Sequence, residues 1–410
     1  MKTIVDKNNA TLIGHTRLGK AVYCPDNAKH CFVSGTTGSG KTILLSNYIL
    51  HGIEKGIGLL LIDGKGDTGK GSMLEIVKTF CEKYNRPLYV VNMNEPLNSA
   101  SYNPLRDATE TVAKDLLINM SPQWSEEHYK ANAERYFQRL IKLMNIAKLP
   151  LSFDSIIQNM PTDNFERLSA LMQKGGLISK ESHIENLELI KASGKIAEQA
   201  SARFATIVES EAGNVFNDDG IDIYTALLSG GVIIFVLNPL LYPETSQTLG
   251  RLALIDAKKA VSKLFNREQR CFFIFDEINV YASTVLIDLI NKSRSAGVTC
   301  ISATQSLADL EAAASEAFKH QIIENCNNYV VMRQNSFASA EEWAKTLGTQ
   351  ERMQLTYQMS QAEATGLGTA KKVREFIIHP DEIKAFKTGE GVFLSRDDGK
   401  CERIKIVKPF

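Results

Sequence analysis

No stretch of this chain approaches the roughly 20 consecutive apolar residues that a membrane-spanning helix requires. The nearest, Gly231-VIIFVLNPLLY, is short and is broken by Asn238 and Pro239. The first ten residues, MKTIVDKNNA, lack the apolar core of a signal peptide and read as a polar, loosely held start. Net charge is absent as well. Forty-seven basic and 47 acidic residues cancel, so global charge gives no support for nucleic-acid binding, and any such surface must be a local patch or a pore lining. There is no C-x-x-C pair. The seven cysteines (24, 31, 81, 271, 300, 326 and 401) are odd in number, and several sit inside apolar runs. That pattern excludes a disulfide or zinc framework and suits reduced, mostly buried thiols in a cytoplasmic protein. Repeats and low-complexity segments are missing, and 44% hydrophobic with 23% charged residues is the composition of a folded chain. A length of 410 residues allows one large domain with an insertion, or two domains.

What is present centres on residues 31–42, CFVSGTTGSGKT. An apolar run leads into Gly35, Thr36, Thr37, Gly38, Ser39, Gly40, Lys41 and Thr42, and an amphipathic helical pattern follows at once. G-x4-G-K-T between a strand and a helix is the P-loop spacing. Glycines let backbone N–H groups turn inward around a phosphate, and the helix N-terminus adds partial positive charge. Lys41 then reaches the β/γ-phosphates of a bound nucleotide, and Thr42 can hold Mg²⁺.

Ahead of the loop, residues 11–30 alternate and read as short antiparallel strands. Behind it, Ile43, Leu44, Tyr48, Ile49 and Ile53 share one helical face, ending near Gly56. GLLLIDGKGD from Gly58 is a buried parallel strand, with Asp63, Lys65 and Asp67 where α/β sheets bind ligands. A helix over SMLEIVKTFCEKYNR and a strand over PLYVVNMN follow. From about 107 to 217 helical patterns dominate. In the stretch 125–149, Tyr129, Ala133, Tyr136, Phe137, Leu140, Ile141 and Met144 recur at helical spacing, a face for packing more than for stacking bases. KIAEQASARFATIVES (195–210) closes the region. Strands and helices then alternate again: GVIIFVLNP, LGRLALIDAKKAVSKLF (249–265), CFFIFDE, VLIDLINKSRSAG, VTCISATQ, NYVVMRQN, VREFIIH and EGVFLSR.

Asp276 and Glu277 end the apolar strand CFFIF in a Walker B form. A P-loop enzyme needs one carboxylate for Mg²⁺ and another to orient or deprotonate the attacking water, and adjacent acids at a strand end serve both. Gln305 ends the next strand, where an amide can contact the γ-phosphate. Arg294, in KSRSAG, is either a surface residue of a basic turn or an arginine finger for a neighbouring subunit's γ-phosphate, which implies a ring.

GTTGSGKT, LLIDGKGD, SYNPL, SARFATIVES, FIFDEI, KSRSAGVTCISATQS, ENCNNYVVMRQN with SAEEWAKTLG, and VREFIIHPDEI before TGEGVFL occur in the order found in type IV secretion coupling proteins of the TraD/TraG kind. The chain resembles that family, which stands with FtsK and HerA among ring-forming DNA pumps, over nearly its whole length. The resemblance implies a RecA-like α/β domain with a mostly parallel sheet, formed by residues 1–106 and 218–410, with an all-α domain at 107–217 inserted in it. It implies ATP and Mg²⁺ as cofactors, a homo-hexamer assembled with DNA or nucleotide, DNA in a central channel, and relaxase and secretion-channel proteins as partners. By position, Lys41 and Thr42 match the Walker A pair, Asp276 and Glu277 the Walker B pair, Gln305 the sensor and Arg294 the arginine acting in trans. Family members usually begin with membrane helices. Their lack here leaves three expectations open: a naturally soluble member, an anchor removed, or recruitment to the inner face of the membrane through another protein. The function expected is an ATP-driven DNA motor serving conjugative transfer. The alternatives are a cytosolic HerA-like or secretion-assembly motor, and a nucleotide-dependent cargo receptor with little turnover.

Overall fold

The protein is described from a computed structural model, which covers residues 9–27, 29–120, 126–360 and 363–409. Eight of the ten residues expected to be loosely held lie outside this set. The chain begins with β1 (Ala10–His15), β2 (Ala21–Pro25), β3 (Cys31–Ser34), α1 (Lys41–Glu54), β4 (Gly58–Asp63), α2 (Met73–Lys83) and β5 (Leu88–Asn92). Helices α3 (Glu110–Asn119), α4 (Glu127–Ile146), α5 (Phe153–Asn159), α6 (Thr162–Lys174) and α7 (Lys180–Val208) follow without an intervening named strand among the described residues. Next come α8 (Ile223–Leu228), β6 (Val232–Val236), α9 (Pro243–Leu264), β7 (Cys271–Asp276), α10 (Thr284–Ser293), β8 (Val298–Thr304), α11 (Leu307–Ala313), α12 (Glu316–Glu324) and β9 (Asn328–Met332). The chain closes with α13 (Phe337–Leu347), β10 (Thr349–Ser360), β11 (Glu363–Phe376), α14 (Pro380–Ala385), β12 (Glu390–Ser395) and β13 (Lys400–Ile406). Serine and threonine N-caps start many of the helices. Ser72, Thr109, Ser152, Ser179, Ser306 and Ser315 each accept a backbone N–H of the first turn.

These elements form two compact units, residues 1–48 with 301–410 and residues 49–300. In the first, the strands run β2-β1-β13-β12-β9-β3-β8. β3 lies parallel to β8 and to β9, and the remaining pairs are antiparallel. In the second, β7-β4-β6-β5 are all parallel. Every residue of β4, β6 and β7 is buried, which is why each reads as an unbroken apolar run. Six cysteines are buried and the seventh is intermediate, all as free thiols. Among the described residues no helix is long and apolar enough to cross a membrane.

Three local expectations are corrected. Tyr129 is 41% exposed and leaves the packing face of α4, whereas Tyr136 and Phe137 are buried in it. On α1, Leu45 is buried and Ile43 only half-buried. α7 starts at Lys180, fifteen residues before the expected 195. Its inward face carries Asn186 and Ser193, which break the hydrophobic stripe yet are satisfied. Arg139 Nε donates to Asn186 Oδ1 at 2.6 Å, and Ser193 Oγ donates to Asn132 Oδ1 at 3.1 Å. Gly194 sits inside this helix because a Cβ there would lie 2.4 Å from Thr162 Cγ2. Of the long β10–β11 ribbon, a separate two-stranded sheet, only the end of β11 was expected, as the strand read over VREFIIH. Its described side chains are mainly exposed and polar, so no alternation marks it.

The SYNPL segment is a neck for the helical region. Tyr102 N–H donates to Val215 O at 2.8 Å, and Asn103 Nδ2 donates to Leu151 O and Asp218 O at 3.0 and 3.1 Å. Asp256 of α9 is 1% exposed and lies 2.8 Å from Lys259 Nζ, which itself donates to Arg106 O at 3.1 Å. Burial pushes the Asp256 carboxyl up from 3.8 to about 6, with Lys259 pulling the other way. Across that window the folded state holds a proton that the unfolded chain has released. Asp256 therefore makes stability fall as pH rises from about 4 to about 6, and contributes no slope above. Asp256→Asn should reduce the stability difference between pH 4 and pH 7 by about 1–3 kcal/mol, measured by urea unfolding at both pH values.

Candidate nucleotide-binding site

In the first unit the phosphate loop leaves β3 between its two parallel neighbours. Gly35 N–H donates to Thr304 O at 3.3 Å on the β8 side, and Thr36 N–H to Arg333 O at 2.9 Å on the β9 side. Ser39 N–H closes the loop on Thr36 O at 3.1 Å. Gly38 and Gly40 have φ of 73° and 109°, conformations that L side chains rarely adopt. At Gly35 a Cβ would meet Met332 Cβ at 2.7 Å, so that glycine is required by close approach. Lys41 opens α1, is 8% exposed, and donates Nζ to Gly35 O at 2.7 Å, folding its ammonium over the loop. Thr42 follows, half-buried, in the first turn of the helix. Gln305, just beyond β8, accepts the Thr37 hydroxyl at its Oε1 at 3.0 Å. The expected sensor and the expected Walker A loop are therefore in direct contact.

In the second unit the carboxylates end neighbouring strands. Asp63 of β4 pairs in register with Asp276 of β7, and Gly64 N–H donates to Asp276 O at 3.2 Å. Asp63, Asp276 and Glu277 are 2%, 4% and 7% exposed. Burial lifts the Asp63 carboxyl to about 6, against the Lys65 and Gly66 amides that hydrogen-bond it. Tyr281 donates its phenol to Ile62 O and Asp276 O at 3.3 and 3.0 Å. Burial first, then the charges of Asp276, Asp63 and Glu277, raise that phenol well above its ordinary value. Glu277 has φ 47° and ψ 55°, a left-handed backbone unusual for a residue with a side chain. Lys65 and Asp67 pair at 3.0 Å on the exposed side of the same loop. Arg294 is exposed in the turn between α10 and β8, and its side chain makes no ion pair or hydrogen bond among the described residues.

Two features escaped the sequence reading. Gly64 is one: a Cβ there would lie 2.8 Å from Glu277 O and 2.9 Å from Asp276 O. Its signal was a glycine directly after the buried strand of LLIDGKGD. The other is the end of β9, where Met332 packs against Gly35 and Arg333, the next residue, accepts the Thr36 N–H; a single sequence carries no cue for that contact.

The donor set fits the expected groups. The loop's glycines leave a backbone cradle at a helix N-terminus, as a phosphate chain requires. In the first unit Thr42 offers a hard oxygen donor of the kind Mg²⁺ takes alongside phosphate oxygens and water, and in the second unit Asp276 by itself offers another. Among the described residues no group of three or more His, Cys, Asp or Glu could hold a metal ion by itself, which a phosphate-shared Mg²⁺ does not need.

A buried parallel sheet, a P-loop and an acidic strand end define a RecA-like P-loop NTPase. Residues 21–407 match the family described as the type IV secretion-system coupling protein DNA-binding domain. The chain belongs to that family, and so to the TraD/TraG-type coupling proteins. Among solved structures it is similar to the bacterial conjugative coupling protein TrwBdeltaN70 in an unbound monoclinic form. The TM-score is 0.71 and the identity 15%, over 99% of this chain and 90% of that one. The plasmid coupling protein TrwB in complex with ADP and Mg²⁺ matches at a TM-score of 0.65 and 14% identity, over 95% and 88% of the two chains. VirB4 of Thermoanaerobacter pseudethanolicus matches at a TM-score of 0.62 and 13% identity, over 99% and 98%. At these identities the likeness is one of fold. No curated protein matches the sequence.

If Gly64 holds Glu277 in place, Gly64→Ala should lower the ATP turnover number at least about tenfold by displacing it. Nucleotide affinity should change little, because the phosphate loop is untouched. Steady-state kinetics beside a nucleotide titration will check both.

Proposed function

We propose that this chain is an ATP-hydrolysing, ring-forming DNA translocase that delivers DNA with its relaxase to a type IV secretion channel. The observation that carries the reading is the phosphate loop, with Lys41 folded over it and Gln305 bonded to Thr37, in a chain matched to the coupling-protein family from residue 21 to 407.

Each residue has a role that its chemistry supports. The amides of residues 35–42 cradle the phosphates, and Lys41 compensates their charge. Thr42 and Asp276 would hold Mg²⁺, which would supply charge neutralisation for the phosphate chain. Glu277 orients the attacking water and accepts its proton. Gln305, already bonded to the loop tip, contacts the γ-phosphate and reports its loss. Arg294, exposed in its turn, reaches the γ-phosphate of a neighbouring subunit. The all-α segment 107–217 is an inserted domain facing cargo. Net neutrality leaves DNA to a local patch or the pore lining. The protein works in the cytoplasm, at the inner face of the membrane through a partner.

The motor reading expects ATP hydrolysis stimulated by DNA; slow turnover indifferent to single- and double-stranded DNA would instead indicate a cargo receptor. Glu277→Gln should bind ATP and cut turnover by about 100-fold or more, and near-normal hydrolysis would remove Glu277 from the mechanism. Arg294→Ala alone should be inactive in rings. Mixed with Glu277→Gln protein it should recover activity at interfaces that pair an intact acid with an intact arginine, and no recovery in demonstrably mixed rings would refute action in trans.

A further inference from the structure

The hydrolytic scheme leaves unused two side chains that hold the tip of the phosphate loop from outside. Thr388, in the turn between α14 and β12, donates its hydroxyl to Gly38 O at 2.9 Å. The next residue, Gly389, donates its N–H to Ser39 O at 2.8 Å. Asn335, just after β9, donates Nδ2 to Thr36 Oγ1 at 3.2 Å, beside the bond from Thr36 N–H to Arg333 O. Asn335 and Thr388 are 299 and 350 positions from their partners, and both are exposed.

The loop has reason to need such tethers. A Cβ on Gly38 would meet nothing within 4 Å, so no packing fixes the tip, and a glycine backbone left alone samples both signs of φ. In a trans peptide the C=O and the following N–H point in opposite directions. Pinning Ser39 O against Gly389 therefore turns the Gly40 N–H to the other side. The turn is pressed close: a Cβ on Gly40 would lie 3.3 Å from Gly389 N.

We infer that Asn335 and Thr388 are positioning residues for nucleotide binding, fixing the outer rim of the loop so that its inner amides face the phosphates before ATP arrives. The inference rests on the nucleotide-site reading above. Each tether is a single exposed neutral hydrogen bond, so its loss should weaken binding several-fold without abolishing it.

The test uses the full chain, with Thr388→Val, Thr388→Ser, Asn335→Leu and the Thr388→Val/Asn335→Leu double variant. A fluorescent ATP analogue with Mg²⁺ reads affinity, steady-state hydrolysis separates KM from kcat, and thermal unfolding without nucleotide reads stability. The expected result is a Kd and KM raised about 3- to 10-fold in Thr388→Val and in Asn335→Leu. The double variant should be weaker still, with kcat within twofold, Thr388→Ser close to wild type and the unfolding midpoint unchanged. Wild-type affinity in the double variant would overturn the inference. So would a Thr388→Ser protein as weak as Thr388→Val, or a loss that tracks a lowered midpoint. A wild-type chain that bound no nucleotide would defeat the site reading and this inference with it, a result distinguishable from the others.

Discussion

A phosphate loop works by presenting backbone N–H groups to an anion, and those groups must stay turned inward when no anion holds them. The first unit is built around that constraint. β3 ends at Ser34, whose buried hydroxyl accepts hydrogen bonds from Gln334 Nε2 and Trp343 Nε1, both at 3.1 Å. Trp343 is fully buried against Phe32 and Tyr329, with ring centroids at 5.8 and 6.2 Å. A buried hydroxyl with two donors is costly to disturb, since either donor would be left unsatisfied. The strand end is thereby fixed in position, and the glycine loop beyond it inherits a firm origin. α13 is pinned in turn by Lys319, 5% exposed, which lies 3.1 Å from Glu311 and from Glu342.

The second unit solves the complementary problem of holding acids at the end of a buried strand. Left to itself a left-handed glutamate costs roughly 1–3 kcal/mol, and the surroundings enforce it. Glu277 N–H donates to Asp276 Oδ1 at 3.0 Å, Gly64 leaves room for both carbonyls, and the Tyr281 phenol bridges the ends of β4 and β7. Tyr281 is held by α9, where Gly250 allows an approach that would put a Cβ 2.6 Å from Tyr281 Cβ. The direction of the Glu277 side chain is thus set by backbone geometry more than by its own rotamer.

How much of this could be read from the chain alone follows from where each constraint is encoded. Buried parallel strands announce themselves, because both faces are apolar: β4, β6, β7 and β8 fall where LLLID, VIIFV, CFFIFD and VTCISAT run. The P-loop, DE and Gln305 stood out as candidates because phosphate chemistry restricts residue type and spacing within a few positions, and the structure brings Gln305 against Thr37. α7 was only half legible, since satisfied polar groups at Asn186 and Ser193 stand where a stripe would need leucine. Of the β10–β11 ribbon only VREF at the end of β11, with half-buried Val373 and Phe376, was legible, because the other described side chains are mainly exposed and polar. The tethers at Asn335 and Thr388 were out of reach, because their partners lie about three hundred positions away and an exposed asparagine or threonine looks like any other.

The placement of the helical segment follows from the same economy of contacts. It leaves and returns between β5 and β6, which are adjacent parallel strands, so a crossover was needed there in any case. Lengthening a crossover costs little, since loop-closure entropy grows only with the logarithm of length. A rigid junction is harder to obtain, and SYNPL supplies one. Tyr102 forms bridges to both Phe216 and Ile221, and its ring packs edge-on against Phe235 of β6 at 4.9 Å. Gly220 sits where a Cβ would fall 2.0 Å from Asn103 N, so the two crossings of the neck touch backbone to backbone. Lys259 then ties Arg106 O to Asp256 of α9. Asp256 and Lys259 ride on the same helix, so a displacement of α9 carries their ion pair along and must either break the Lys259 hydrogen bonds to Pro104 O and Arg106 O or draw the neck with it.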